Sequence, residues 1–383
     1  MFSTIAEVNL NTIRRNVRAI KEKIGPNVRL MPIVKANAYG HGAVKVTRAA
    51  LEAGADMFGV ARIEEALELR DTGIEAPILI MGSAPAEAAQ EIIDRNITAT
   101  VFDANFAQAL SASAALSGKK AKVHIKVDTG MGRIGVHSEA ALDFILYVMG
   151  FPGLVVEGVF THFPCADEDD SGFTKRQISD FTRLTKELEH RGVRPTIAHA
   201  ANSGGIADHP ESHLDMVRAG IILYGLYPSK TVARCVDVEP VLTLKTRVAF
   251  IKQIEPGMTV SYGRTYRAKR RTSVATIPIG YADGFSRHLS NCGHAIIHGS
   301  RVPIIGRVCM DQTMLDVSNV PDVRVGDEVI LYGSQGNETI SVEDVAALLN
   351  TVPHDVLCAI GQRVPRVYIG EERGKSCHLS DDS

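Results

Sequence analysis

The string Val34-Lys35-Ala36-Asn37-Ala38-Tyr39-Gly40-His41-Gly42 sets a lysine directly after an apolar run. An amine at the exit of a buried strand is partly desolvated, and a desolvated amine is a nucleophile toward an aldehyde. The small neighbours and two glycines predict room for a bulky planar group against this backbone. Arg133, in Lys126-Val127-Asp128-Thr129-Gly130-Met131-Gly132-Arg133, is a forked donor suited to a planar acid. Arg218, in Arg218-Ala219-Gly220-Ile221, is a permanent cation that can only donate. Ser203, Tyr39 and the amides of Gly220 and Ile221 read as an anion site after a late strand, where glycine permits close approach. Tyr262, in Val260-Ser261-Tyr262-Gly263, is a phenol and a poor base unless neighbours lower its pKa. Each group taken singly also has a plainer reading. Lys35 could reach solvent, Arg218 could sit in a surface ion pair, and Tyr262 could pack beside a turn glycine. His162 could be a satisfied strand-end histidine, and Ser203-Gly204-Gly205 an ordinary loop.

The elements that must position these groups alternate over the first two-thirds of the chain. Asn11 is placed to cap a helix whose apolar residues Ile13, Val17, Ile20 and Ile24 recur at helical spacing, with Gly25-Pro26 as the stop. Residues 30–34 read as a buried strand. Strands follow at 57–60, 77–81, 122–127, 154–161, 196–198 and 221–224, with helical segments between them. One helix shows the stripe Ile178, Phe181, Leu184, Leu188, closed by Gly192. About eight strand–helix units predict a parallel sheet, and a closed (β/α)8 TIM-like barrel fits the count. The pattern alone leaves an open doubly wound sheet available, although no GxGxxG or GxxxxGK[ST] motif is present. Near Pro240 the pattern changes to strand-like runs at 241–248, 273–279, 294–298, 301–308 and 328–331, with residues 342–349 helical. The chain therefore divides into a barrel at 1–235, a mostly β domain at 236–371 and a polar, fraying tail at 372–383.

Composition narrows the function classes. A net charge of -2 over 383 residues favours neither nucleic acid nor an anionic membrane. Cysteines at 165, 235, 292, 309, 358 and 377 form no CxxC pair, which suits reduced thiols in a cytoplasmic protein. Glu7 interrupts the start where a signal peptide needs an apolar run, and no apolar stretch approaches the ~20 residues of a membrane span. Cys292, His294 and His298 fit no standard zinc spacing and read as a β-hairpin, so no metal is expected. Cys309 reads as a small buried residue, and Asp167-Glu168-Asp169-Asp170 as a solvated loop.

The lysine string, residues 126–135, Thr161-His162-Phe163, His199-Ala200-Ala201-Asn202-Ser203 and Arg218-Ala219-Gly220-Ile221 occur in order. They are followed by Val260-Ser261-Tyr262-Gly263, Ile279-Gly280-Tyr281-Ala282-Asp283-Gly284, Cys309-Met310-Asp311-Gln312 and Arg363-Val364-Pro365-Arg366. Together they resemble the alanine racemases, fold-type III pyridoxal-phosphate enzymes, over essentially the whole chain. The resemblance implies a homodimeric isomerase with shared active sites that interconverts L- and D-alanine, supplying D-alanine for cell wall synthesis if the source is bacterial. It implies that Lys35 holds pyridoxal 5'-phosphate and serves as one of two bases, with Tyr262 reaching from the partner as the other. One base per face suits a reaction that removes the α-proton from one side and returns it from the other. Arg218 would meet the pyridine nitrogen, weaken the ring as an electron sink and suppress transamination. His162 would orient Arg218, with Asn202 in the same layer. Tyr39, Ser203, Gly220 and Ile221 would hold the phosphate. Arg133 would meet the substrate carboxylate and the cofactor's phenolic oxygen. Met310 of the partner would offer a backbone amide to that carboxylate, and Tyr281 would narrow the entrance. Lys126 matches a position carbamylated in some members; an ordinary strand lysine is the other reading.

One departure concerns substrate width. Where the family usually has a tyrosine ahead of an acid, this chain reads Val352-Pro353-His354-Asp355. A shorter, titratable His354 predicts a looser site that turns over serine as well. A serine or broad-specificity racemase thus stands beside an alanine racemase. A barrel-fold decarboxylase is opposed by Arg218, and a non-catalytic carrier by Tyr262 and the β domain.

Overall fold

The computed structural model describes residues 3–168 and 171–371, so the polar tail, Asp169, Asp170 and Cys377 lie outside the described residues. The chain opens with strand β1 (Ile5–Asn9), in which Ala6 and Val8 are buried. Helix α1 (Leu10–Ile24) follows at once and buries Ile13, Val17, Ile20 and Ile24. Its cap is Asn9 rather than Asn11: the Asn9 side chain accepts from the amides of Asn11 and Thr12. Asn9 is extended and ends the strand, so its oxygen reaches the first free amides, while Asn11 already lies inside the helix. Gly25 closes the helix at φ 81° with its amide on the Lys21 carbonyl.

The eight strands of the parallel ring follow: β2 (Arg29–Pro32), β3 (Phe58–Val60), β4 (Ile78–Ile80), β5 (Thr98–Val101), β6 (Ala121–Asp128), β7 (Leu154–Phe160), β8 (Ile197–His199) and β9 (Met216–Ala219). Strands β3 to β8 form one continuous parallel sheet. The ring then closes. β9 pairs in parallel with β2, Ile33 bridges to Gly59, and the Arg218 amide donates to the Ala201 carbonyl at 3.0 Å. This is the closed barrel, not the open sheet. The strands are short and buried on both faces, so they read as apolar runs rather than alternating ones.

The C-terminal half is mostly β. Strands β10 (Leu242–Arg247), β11 (Phe250–Ile254), β12 (Thr272–Ile277), β13 (His294–Ile297), β14 (Ser300–Pro303), β15 (Thr313–Asp316), β16 (Glu328–Gln335) and β17 (Arg366–Ile369) form two sheets. One has the order β14-β13-β16-β10-β1-β17, the other β11-β12-β15. β1 therefore belongs to the β half, although sequence grouped residues 1–235 with the barrel. A second short helix, Pro353–Cys358, which the pattern did not reveal, carries His354. The predicted strand 301–308 pairs as a strand only to Pro303.

Candidate active site

The barrel strands deliver their C-terminal ends to one cavity of about 530 Å³, within the range of small-molecule sites. Its lining brings together Lys35, Tyr39, Lys126, Arg133, His162, Asn202, Ser203, Arg218, Gly220 and Ile221, together with His354 from the other half. Tyr262, Tyr281 and Met310 do not line it.

Lys35 opens a tight turn, Lys35–Tyr39, immediately beyond β2. Ala36, Asn37, Ala38 and Tyr39 all have φ of 50° to 53°, a left-handed run that costs roughly 1–2 kcal/mol per residue outside glycine. Side chains and neighbouring backbone hold it. Glu65 accepts from the Ala36 amide at 2.6 Å and Asn37 Oδ1 from the Ala43 amide at 2.8 Å, while the buried His41 ring lies on the Ala38 and Tyr39 carbonyls. The two glycines of the string do not make room for a planar group. A Cβ on Gly40 would meet the Leu357 carbonyl at 2.7 Å, and one on Gly42 would meet the Tyr368 hydroxyl at 1.9 Å. They let the C-terminal half seat against the lysine turn. Arg366 pins that seat by donating to the carbonyls of Gly40, Ile360, Gly361 and Val364.

Burial, then the charge of Arg133, lowers the pKa of the Lys35 amine. Lys126 is 3% exposed, with its amine over the Phe160 ring, and burial with Arg218 and Arg133 pushes it well below the ordinary lysine value. Arg133 stands at the exposed rim. Its loop is wrapped around Asp128, whose carboxylate accepts from the amides of Gly130 and Gly132. Arg218 is buried and donates to the carbonyls of Thr161 (2.8 Å) and Ala200 (2.6 Å) and to Nδ1 of His162 (3.1 Å) and His199 (3.0 Å). Burial and Arg133 bring it down to about 9. His162 is held well below its ordinary pKa by burial and then Arg218, so it is neutral and can accept. Asn202 caps the short helix Ser203–Asp208 through the Gly205 amide and donates to the Phe163 carbonyl.

Tyr39, Ser203 and Gly220 converge at the far wall. A methyl group on Gly220 would lie 3.3 Å from both Ser203 Oγ and Tyr39 Oη, so the missing side chain leaves a cradle edged by two hydroxyls. The Tyr39 ring lies 5.4 Å from that of His354, which burial and then Lys35 push down to about 4. Asp167 is the only carboxylate among the described lining residues. A partly dry cavity with Lys35, Arg133 and Arg218 around it selects an anionic guest.

Two family models match the chain in succession: "Alanine racemase, N-terminal domain" over residues 8–228 and "Alanine racemase, C-terminal domain" over residues 241–368. The chain belongs to the alanine racemase family. It is 48% identical to "Alanine racemase 2" of Caldanaerobacter subterraneus subsp. tengcongensis over 367 residues, covering 96% of this chain and 95% of that protein. The alanine racemase structure of Clostridium difficile 630 superposes with a TM-score of 0.91 at 40% identity, covering 96% of each chain. That of Bartonella henselae, described with covalently bound pyridoxal phosphate, gives 0.86 at 29% identity, covering 96% of this chain and 100% of the other.

The residues outside the cavity form a second, exposed group on the β half. Tyr262 is 70% exposed, Met310 52% and Tyr281 43%. Their loops are tied together: Ser261 Oγ lies 3.4 Å from Cys309 Sγ, and the Tyr281 amide donates to the Cys309 carbonyl at 3.0 Å. Cys309 is half-buried rather than buried. Sequence reasoning missed Glu65, Arg366, His124 and His199 as parts of the site. His199 stood in a matched string, but histidine beside alanine carries no sign of what it will face. Among the described residues no cluster suits a metal ion, and no helix is long and apolar enough to cross a membrane.

Proposed function

We propose that the protein interconverts L- and D-alanine with pyridoxal 5'-phosphate held at Lys35. The observation that carries this is the shared cavity of a desolvated amine, a two-hydroxyl cradle at Gly220 and a donor-only arginine, in a chain of this family. That donor set fits a phosphorylated aldehyde. Lys35 would take the aldehyde carbon. Tyr39, Ser203 and the amides of Gly220 and Ile221 would hold the phosphate, and Arg218 would donate to the ring nitrogen. When bound, the cofactor supplies an electron-accepting ring conjugated to the substrate's α-carbon.

The chain's own residues then divide the work. Lys35 Nζ moves the α-proton on one face, and Tyr262 Oη of a second copy moves it on the other. Arg133 orients the substrate carboxylate, assisted by the Met310 amide from that copy, while Tyr281 narrows the entrance. Because Arg218 only donates, it would leave the ring nitrogen without a proton and would favour return of the proton to the α-carbon. His162, neutral and 3.1 Å from the guanidinium, and Asn202 keep Arg218 and the adjoining loop in place. A neutral Lys126 amine between Arg133 and Arg218 is suited to add carbon dioxide, with loss of a proton, and so give both arginines an anionic partner. Free, scattered cysteines among the described residues support a cytoplasmic protein, and the exposed Tyr262 and Met310 outside the chain's own cavity support a homodimer as the working form.

Purified protein given the cofactor should show an absorbance band at the visible edge and exchange the α-hydrogen of alanine in D2O. Lys35→Ala should lose both, the exchange by more than about a thousandfold. Wild type that neither binds the cofactor nor exchanges any amino acid would overturn the proposal. Serine is the second substrate to test, because a histidine rather than a longer phenol faces Tyr39. The serine-to-alanine rate ratio should fall in His354→Tyr; an unchanged ratio removes that reading.

A further inference from the structure

Among the described residues Arg218 has no carboxylate as a hydrogen-bond partner, yet one of its contacts leads to one. His199 accepts from Arg218 at Nδ1 (3.0 Å), and its Nε2 lies 2.9 Å from Nδ1 of His124. The far nitrogen of His124, Nε2, is 3.5 Å from Glu157 Oε2 and has no closer partner among the described residues. Glu157 Oε1 in turn meets Lys122 Nζ at 2.7 Å. Both imidazoles are fully buried.

Donor logic gives this row a direction. A guanidinium can only donate, so His199 Nδ1 must carry no proton. A neutral His199 then bears its proton on Nε2 and donates to His124 Nδ1, which must also be bare. His124 is left with its proton on Nε2, 3.5 Å from a carboxylate oxygen of Glu157. Protonating either ring a second time would set N–H against N–H. Burial lowers the pKa of both histidines, most strongly that of His199, where Arg218, His124 and Lys126 add to the effect.

The barrel is shaped around this row at three points. The β6–β7 register slips between Val123 and His124, so that Val156 and Gly158 pair in succession and Glu157 is the extra, bulged residue. A bulge re-aims a side chain, and this one turns a carboxylate toward His124. At Gly158, opposite His124, a Cβ would come within 2.6 Å of the imidazole, so the glycine leaves the slot the ring fills. Phe160 then stacks on His199 with the planes 6° apart and centroids 4.7 Å apart.

We propose that Glu157 is a positioning residue for Arg218, acting through His124 and His199 to fix both tautomers and keep the guanidinium protonated against the cofactor's ring nitrogen. This rests on the role given to Arg218 above. The carboxylate raises the basicity of His124 Nδ1, that raises the basicity of His199 Nδ1, and a better acceptor there makes Arg218 a weaker acid. Without Glu157, Arg218 shares its proton more readily with the ring nitrogen, and proton return at the wrong carbon gains.

Two measurements test it. Protein labelled with 15N-histidine, with and without cofactor, should show His124 and His199 as neutral rings protonated on Nε2, with no titration between about pH 6 and pH 9. A proton on Nδ1 of either ring, or titration in that range, overturns the proposal even if no cofactor binds. With cofactor, Glu157→Gln and Glu157→Ala should raise the ratio of keto acid formed to alanine racemised by about tenfold, the effect of a shift of about one pKa unit. A merely structural Glu157 would lower stability without moving that ratio, and an unchanged ratio in the near-isosteric Gln variant overturns the proposal. Failure of the wild type to bind cofactor would instead strike the reading of Lys35.

Discussion

The barrel mouth and the exposed face of the β half carry the same kinds of side chain under opposite conditions. At the mouth, Lys126, Arg218 and His199 are buried, desolvated and hydrogen-bonded or stacked, and their pKa values move accordingly. On the β half, Tyr262, Tyr281 and Met310 stand in solvent on loops braced by backbone contacts. The first region has its electrostatics built by one chain. The second holds groups that do not line this chain's own cavity, which is what the proposed completion of the site by a second copy requires.

The largest effect that can break this comparison comes from mixing two inactive variants. Lys35→Ala and Tyr262→Phe should each abolish most racemisation, yet reassembled together they should recover roughly a quarter of wild-type activity per site, because half the dimers then hold one intact pair. No recovery would place both residues in the same chain's site. Gly42→Ala comes next. It combines φ 99° with a Cβ at 1.9 Å from the Tyr368 hydroxyl, and should cost about 3 kcal/mol in thermal or denaturant unfolding. Its damage should fall on the joint between the halves, seen as loss of activity at temperatures where the circular dichroism is still native.

Acid unfolding sharpens the contrast further. The nearby His124 ring first, with Lys122 assisting against burial, holds Glu157 down to about 2, below its ordinary 4.5. A carboxylate depressed on folding contributes stability that is complete above about pH 4.5 and fades as the pH falls toward 2. Glu157→Gln should therefore be less stable than wild type by about 2 kcal/mol at neutral pH, and the gap should close toward pH 2. A gap independent of pH would show that the carboxylate's charge contributes nothing to stability. The smallest effect is at Asn9→Ala, which removes the cap of α1 and should cost about 1 kcal/mol in unfolding, with the exchange rate of alanine unchanged.

Much of this was legible in the residues. The apolar runs of 30–34, 57–60 and 77–81 marked barrel strands, because strands covered on both faces must be apolar throughout. The matched strings marked ten candidate residues that the cavity does gather. What failed failed for local reasons. Ile5–Asn9 is five residues long and alternates, a pattern that says strand but not which sheet; its partners at Leu242–Arg247 and Arg366–Ile369 are hundreds of residues away. Gly40 and Gly42 advertised close approach without saying of what, and the answer was the carbonyl of Leu357 and the ring of Tyr368.

By itself the sequence determined the family, most of the succession of strands and helices and the chemical types placed at strand ends, because periodicity and side-chain chemistry are properties of neighbours along the chain. It took residues 221–224, a 3-10 turn, for a strand and did not reveal the helix at Pro353–Cys358. Only the tertiary structure decided that Glu157 is bulged inward, that Gly158 clears a slot for His124, and that Arg218 meets a neutral acceptor rather than a carboxylate. Proton placement along such a row depends on which atoms face each other inside the barrel, and facing is settled by register and packing, which no short stretch of sequence encodes.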